Sequence, residues 1–166
     1  MPSLHRNNGG ILVDENESLG RLDASALIHV GDPATARYLH CNLTIKGNPS
    51  LETVSFSALH SVGGRLDLID NDALAHLDHF ENLIAIRGDL NITHNLNLRS
   101  VEGLFGLESI GAAARPIGPH HGHFVFTDNP RVPLEQAEHI EAELGEDNIG
   151  GEARLVGVPF AGDLDF

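Results

Sequence analysis

The sequence predicts a repeat solenoid, a chain wound into turns that stack on one another and share one core. Two observations predict it. Asparagines at 16, 48, 71, 95 and 129 each sit inside the same apolar skeleton. Leu90 and Ile92 lie five and three residues before Asn95, Leu98 and Val101 three and six after it, and Leu107 and Ile110 close the unit. The skeleton recurs around Asn71 (Leu66, Leu68, Leu74, Leu77, Leu83, Ile86), Asn48 (Leu43, Ile45, Leu51, Val54, Leu59, Val62) and Asn16 (Ile11, Val13, Leu19, Leu22, Leu27, Val30). A worn copy surrounds Asn129, with Phe124, Phe126 and Val132. The second observation is alternation: ahead of each asparagine, apolar residues take every other position, as a strand with one buried face requires. One repeat cannot bury its leucines alone, so successive repeats must stack and share a column of side chains.

In chain order, residues 1–10 are polar and end in Asn7-Asn8-Gly9-Gly10, which predicts a flexible lead-in. Residues 11–132 carry the repeats. The strand at Leu43–Ile45 comes late because Asp32 to Cys41 is inserted before it, while the asparagines at 48, 71 and 95 follow at spacings of 23 and 24. A second insertion, AAARPIGPHHG, lies between Gly111 and His123 and reads as a loop from its Pro and Gly content. Gly31, Gly63, Gly88 and Gly111 fall where each repeat bends tightly, which favours a residue without Cβ. The recurring asparagine suits the corner after the strand. There its amide satisfies backbone groups of its own and the adjacent repeat, so Asn16, Asn48, Asn71, Asn95 and Asn129 are expected to form an inward structural ladder.

Both ends of such a stack need covering. Residues 133–166 supply a capping helix from Pro133 to Leu144, with Pro in its first turn, Leu134, Ala137, Ile140 and Leu144 on one face, and Gly145 as its stop. Beyond it, alternating Ala153 and Leu155 predict a last strand before the tail.

Composition narrows the function. The 166 residues fit one domain with a real core, and 41% are hydrophobic without a run of the roughly 20 apolar residues that a membrane helix needs. The formal charge is −14, from 24 acidic and 10 basic side chains. A surface of that sign repels phosphate backbones and argues against nucleic-acid partners. Cys41 is the sole cysteine, so no internal disulfide framework exists. The opening MPSLHRNNGG lacks an apolar core of signal-peptide length. The expectation is therefore a cytoplasmic chain or an excised piece of an extracellular or cell-surface protein.

These repeats resemble the receptor L domain, the leucine-rich-repeat relative found in insulin-receptor and epidermal-growth-factor-receptor ectodomains, in fungal cell-surface proteins and in many bacterial proteins. The motif that carries the resemblance is strand, Asn, Leu, Leu, Leu, Ile-Gly, as in LDLIDNDALAHLDHFENLIAIRG. The segment NPRVPLEQAEHIEAEL also looks like the last turn and capping helix of the bacterial members. The resemblance implies a right-handed, β-helix-like superhelix that binds through a sheet face or protruding loops. Lacking the receptors' cysteines, this chain stands nearer to the bacterial form, which brings no catalytic residues with it.

Alternation also fixes which strand residues face outward. One row is Leu12, Thr44, Asp67, Asn91 and Val125; the next is Asp14, Lys46, Ile69, Thr93 and Thr127. These ten form a candidate partner-binding face, or else a plain solvated sheet. His120, His121 and His123 offer imidazoles to a divalent metal, although no cysteine or paired carboxylate lies near in sequence. Asp67, Asp70 and Asp72 lack a calcium-loop spacing. No nucleophile elbow, phosphate loop or H-E-x-x-H motif occurs, and the sequence implies no cofactor.

The sequence thus leads to a non-catalytic module that binds a protein or glycan. A structural spacer without a ligand, and a metal-binding protein using the histidine loop, stand as alternatives. Protonating all 11 histidines would move the formal charge from −14 to −3. Colloidal stability should therefore fall near a pH of about 5, seen as rising turbidity, and unchanged solubility through that titration would contradict the reading.

Overall fold

The computed structural model describes residues 6–31, 41–111 and 122–156. In chain order its first strands are β1 (Arg6–Asn7), β2 (Ile11–Asp14), β3 (Arg21–Asp23), β4 (His29–Val30), β5 (Leu43–Lys46) and β6 (Thr53–Ser55). β7 (Ser61–Val62), β8 (Leu66–Ile69), β9 (Ala85–Ile86), β10 (Leu90–Thr93) and β11 (Ser109–Ile110) follow. β12 (Phe124–Thr127), helix α1 (Leu134–Leu144) and β13 (Ala153–Val156) complete the order. The strands form parallel sheets. The largest runs β13-β12-β10-β8-β5-β2, the second β1-β4-β7-β9-β11, and β3 pairs with β6 in a third.

Pairing follows the repeat. Ile11 lies opposite Leu43, Leu43 opposite Leu66, Leu66 opposite Leu90, and Leu90 opposite Phe124. Val30, Val62, Ile86 and Ile110 line up in the same way across the second sheet. Phe56, the residue after β6, stacks its ring on that of Phe80 with centroids 5.3 Å apart. One continuous core results, and Leu43, Leu66, Leu68, Leu90 and Ile92 are wholly buried in it. Each such side chain contributes about 2 kcal/mol of apolar burial, gained only when the neighbouring repeat lies over it.

The asparagines bind repeat to repeat. Asn48 Oδ1 accepts from the backbone N–H and Nδ2 of Asn16 at 3.1 and 3.0 Å. Asn71 Oδ1 accepts from Asn48 Nδ2, Asn95 Oδ1 from Asn71, and Asn129 Oδ1 from Asn95. Every Nδ2 also donates to the carbonyl two residues earlier: Asp14, Lys46, Ile69, Thr93 and Thr127. Asn48, Asn71, Asn95 and Asn129 are buried, and among the described residues no buried side-chain N or O lacks a partner. Asn16 departs from the inward position expected of it. It is exposed: among the described residues no earlier repeat lies over it, and it is the first rung in chain order.

A second regularity sits one residue before each rung. Glu15, Asp70, His94 and Asp128 have φ of 54–57°, and Gly47 takes 64°. A left-handed corner turns the chain so that the following amide points into the stack, at a cost of about 1 kcal/mol for each non-glycine residue.

At the C-terminal end α1 is capped by Pro133 and Gly145, and buries Ala137, Ile140 and Leu144. The expected lead-in also differs from the sequence reading. Arg6–Asn7 is a strand paired with β4, since the open edge of β4 offers its backbone groups a parallel partner. The insertion at 32–40, the loop at 112–121 and the tail at 157–166 lie outside the described residues. Tight bends account for Gly31 and Gly111, both at positive φ. Gly88 is required by close packing instead, against the Gly64 backbone, and Gly63 sits tightly against Val30 O.

Two substitutions test this frame in urea denaturation. Asn71→Ala orphans amide groups on both sides and should cost about 3 kcal/mol, whereas Asn16→Ala, at the wet end, should cost about 1 kcal/mol. Equal losses would contradict a buried ladder. Gly103 packs so closely on the Leu77 backbone that an added Cβ has no room. Gly103→Ala should therefore cost about 3 kcal/mol, and a loss below about 1 kcal/mol would contradict that packing.

Candidate interaction face

All ten outward residues share one face of the six-stranded sheet. Register places Leu12, Thr44, Asp67, Asn91 and Val125 in one row and Asp14, Lys46, Ile69, Thr93 and Thr127 in the next. The expected last strand, realised as β13, adds Arg154 to the first row and Val156 to the second. The alternation of Ala153 and Leu155 already implied those two outward positions.

The middle of the face is held in place. Asp67 Oδ2 accepts from Thr44 Oγ1 at 3.0 Å, and Asp67 Oδ1 accepts from Asn91 Nδ2 at 2.6 Å. Three adjacent strands thereby fix one another's polar side chains, each half-buried. Lys46, the one lysine in the sequence, stands exposed in the second row. Apolar groups are dispersed rather than gathered: Leu12 is 69% exposed at the β2 edge, Val156 is 48% exposed at the β13 edge, and Ile69 lies half-buried between. Such a face suits many weak polar contacts more than one apolar anchor.

Along one border of the face runs the left-handed corner column, where His94 Nε2 lies 3.3 Å from Asp128 Oδ2. Along the other, a shorter set of acceptors precedes the strands. Asn42 Oδ1 accepts the Arg65 N–H at 2.9 Å. Asp89 Oδ1 accepts from the N–H groups of Gly122 and His123 at 2.8 and 3.0 Å, while its Oδ2 lies 3.3 Å from Arg65 Nε. Asp89 therefore anchors the chain where it returns from the second insertion, a role its repeat position does not announce.

The histidine loop is only partly described. His120 and His121 fall outside the described residues. His123 Nδ1 accepts the Glu152 N–H at 3.0 Å, which occupies that nitrogen and leaves Nε2 as its remaining ligand atom. Among the described residues no three His, Cys, Asp or Glu side chains are grouped to hold a metal. His29 Nδ1 lies 2.9 Å from Ser61 Oγ, but the two are opposite each other in adjacent strands, and the contact is a cross-strand pair. Asp23 is held below the usual carboxylate range by the hydroxyl and N–H of Ser25 and by Arg21.

No described helix is long and apolar enough to cross a membrane. Comparison of the chain with protein-family models, with curated proteins and with solved structures returned no match, so the face rests on this chain's own residues.

Proposed function

We propose that the chain is a right-handed solenoid of the receptor L-domain kind and works as a non-catalytic interaction module. It presents the outer face of its six-stranded sheet to a protein or glycan. Five repeats that pair in parallel and in register support the architecture. The observation that carries the functional reading is the Thr44, Asp67 and Asn91 network. Polar side chains already fixed before binding lose little rotamer freedom on contact, which favours a built recognition surface over a merely solvated one. The spacing of strands, about 4.8 Å, sets a repeating array that matches an extended partner lying across them. Dispersed apolar groups support the spacer reading as a second possibility, distinguished by whether any partner is retained.

The exposed Lys46 makes a direct test practical, because an amine-reactive cross-linker has only that side chain and the chain's amino terminus to attach to. A captured protein should cross-link at Lys46. The double variant Asp67→Arg plus Asn91→Arg, melting within a few degrees of wild type, should recover about tenfold less of that protein, or of a bound glycan on an array. Equal recovery by both chains would remove the sheet face from the account.

A further inference from the structure

The asparagines of this chain differ in the chemistry open to them. Four of the five rungs are buried with their amides bonded, and Asn48 and Asn129 also precede prolines, which have no backbone N–H to react. Asn42, Asn82, Asn91, Asn97 and Asn148 each hold a hydrogen bond on the side-chain amide, and each precedes a leucine or isoleucine. A branched side chain there hinders the approach of that residue's nitrogen to the amide carbon before it. Asn8 differs on both counts. It is exposed, among the described residues no hydrogen bond holds its side chain, and it stands in the only Asn-Gly pair of the sequence. Gly9 has no Cβ to shield its nitrogen. The pair occupies the corner between β1, which ends at Asn7, and β2, which begins at Ile11. Asn7 O accepts the Gly31 N–H at 2.6 Å and the Ile11 N–H donates to Asn42 O at 2.7 Å, so both ends of the corner are held. Between them the Asn7 side chain spans the bend: its Oδ1 accepts the Gly9 N–H at 2.9 Å, and its Nδ2 donates to Gly10 O at 3.2 Å.

We propose that Asn8 is a site of spontaneous covalent modification, which the Gly9 nitrogen converts to aspartate and isoaspartate and which Asn7 restrains. The Gly9 nitrogen loses its proton to hydroxide and bonds to Asn8 Cγ. The Cγ–Nδ2 bond then breaks, and Nδ2 leaves as ammonia with a proton taken from water. What remains is a five-membered cyclic imide. Water opens it at either carbonyl: breaking the bond from Gly9 N to Cγ gives aspartate, and breaking the bond from Gly9 N to the Asn8 main-chain carbon gives isoaspartate. One water enters, one ammonia leaves, and nothing is oxidised or reduced. Asn7 acts as the restraint because Gly9 must release its hydrogen bond to Asn7 Oδ1 before a base can take the proton. Either product places a carboxylate where a neutral amide stood, which moves the formal charge from −14 to −15. Isoaspartate also adds one carbon to the main chain of a corner held at both ends. The inference rests on the sequence and bonds of this corner, and is independent of what the sheet face binds.

The test incubates the full chain in mildly alkaline buffer, samples it over weeks and digests it with trypsin, which cuts after Arg6 and Arg21 and releases residues 7–21. Fragmentation mass spectrometry assigns the gain of acid to a residue, and chromatography separates the aspartyl from the isoaspartyl peptide. Both products are expected at Asn8, forming at least about tenfold faster than at any other asparagine. A Cβ on Gly9 would meet only Asn7 Oδ1, at 3.6 Å, so Gly9→Ala fits the corner and should slow the conversion about tenfold. Asn7→Ala should speed it about threefold. Circular dichroism verifies that both variants are folded. Conversion of Asn16 or Asn82 as fast as that of Asn8, an unchanged rate in Gly9→Ala, or aspartate formed without isoaspartate would overturn the proposal. Equal rates in wild type and Asn7→Ala would overturn the restraint.

Discussion

A buried amide must find partners for both its donors and its acceptor, and in this chain those partners lie in adjacent repeats. Asn48, Asn71 and Asn95 each donate to a carbonyl of their own repeat, to one in the repeat before and to the asparagine after. Removing one repeat would strand polar groups on both sides, and each stranded group costs about 1–3 kcal/mol. The ladder therefore converts apolar stacking, which tolerates sliding, into a fixed register. Register in turn decides which side chains meet on the outer face.

The left-handed corners follow from the same constraint. To aim an amide inward immediately after a strand, the chain must reverse its twist at the preceding residue, and Glu15, Asp70, His94 and Asp128 accept that strain. Asp and His belong to the residue types that tolerate this region. Their side chains are exposed and border the sheet as a polar column, interrupted at Gly47. Burial follows the same neighbours: Asn16 is exposed, and Ile11, Val13, Leu19 and Leu22 around it are half-buried. After the last rung the eleven-residue helix α1 buries Ala137, Ile140 and Leu144.

Much of this was legible in the sequence. The asparagine register named the inward residues of β5, β8, β10 and β12, which are buried, and those of β2, which are half-buried, and in these strands the burial alternates as the sequence does. Pro133 and Gly145 bracketed α1 because their backbone preferences act locally. What escaped depended on relations that no single repeat displays. The corner conformation was hinted at only by Gly47, since Glu15, Asp70, His94 and Asp128 share no residue type. Asp89 became a clamp because the chain returns beside it from an insertion, a tertiary fact. Arg6 and Asn7 joined a sheet despite a polar, glycine-rich context, because β4 offered an edge. Asn16 matched the motif fully yet lies exposed, for burial depends on a neighbour that the motif cannot supply.

Native-state hydrogen exchange reads the central dependence most directly. If the repeats hold one another, the backbone N–H groups of Leu66, Leu68, Leu90 and Ile92 and the side-chain amides of Asn71 and Asn95 should exchange together, at the free energy of global unfolding, with Asn16 far faster. Side-chain amides of Asn71 and Asn95 exchanging as quickly as that of Asn16, or β8 and β10 opening separately, would contradict the account.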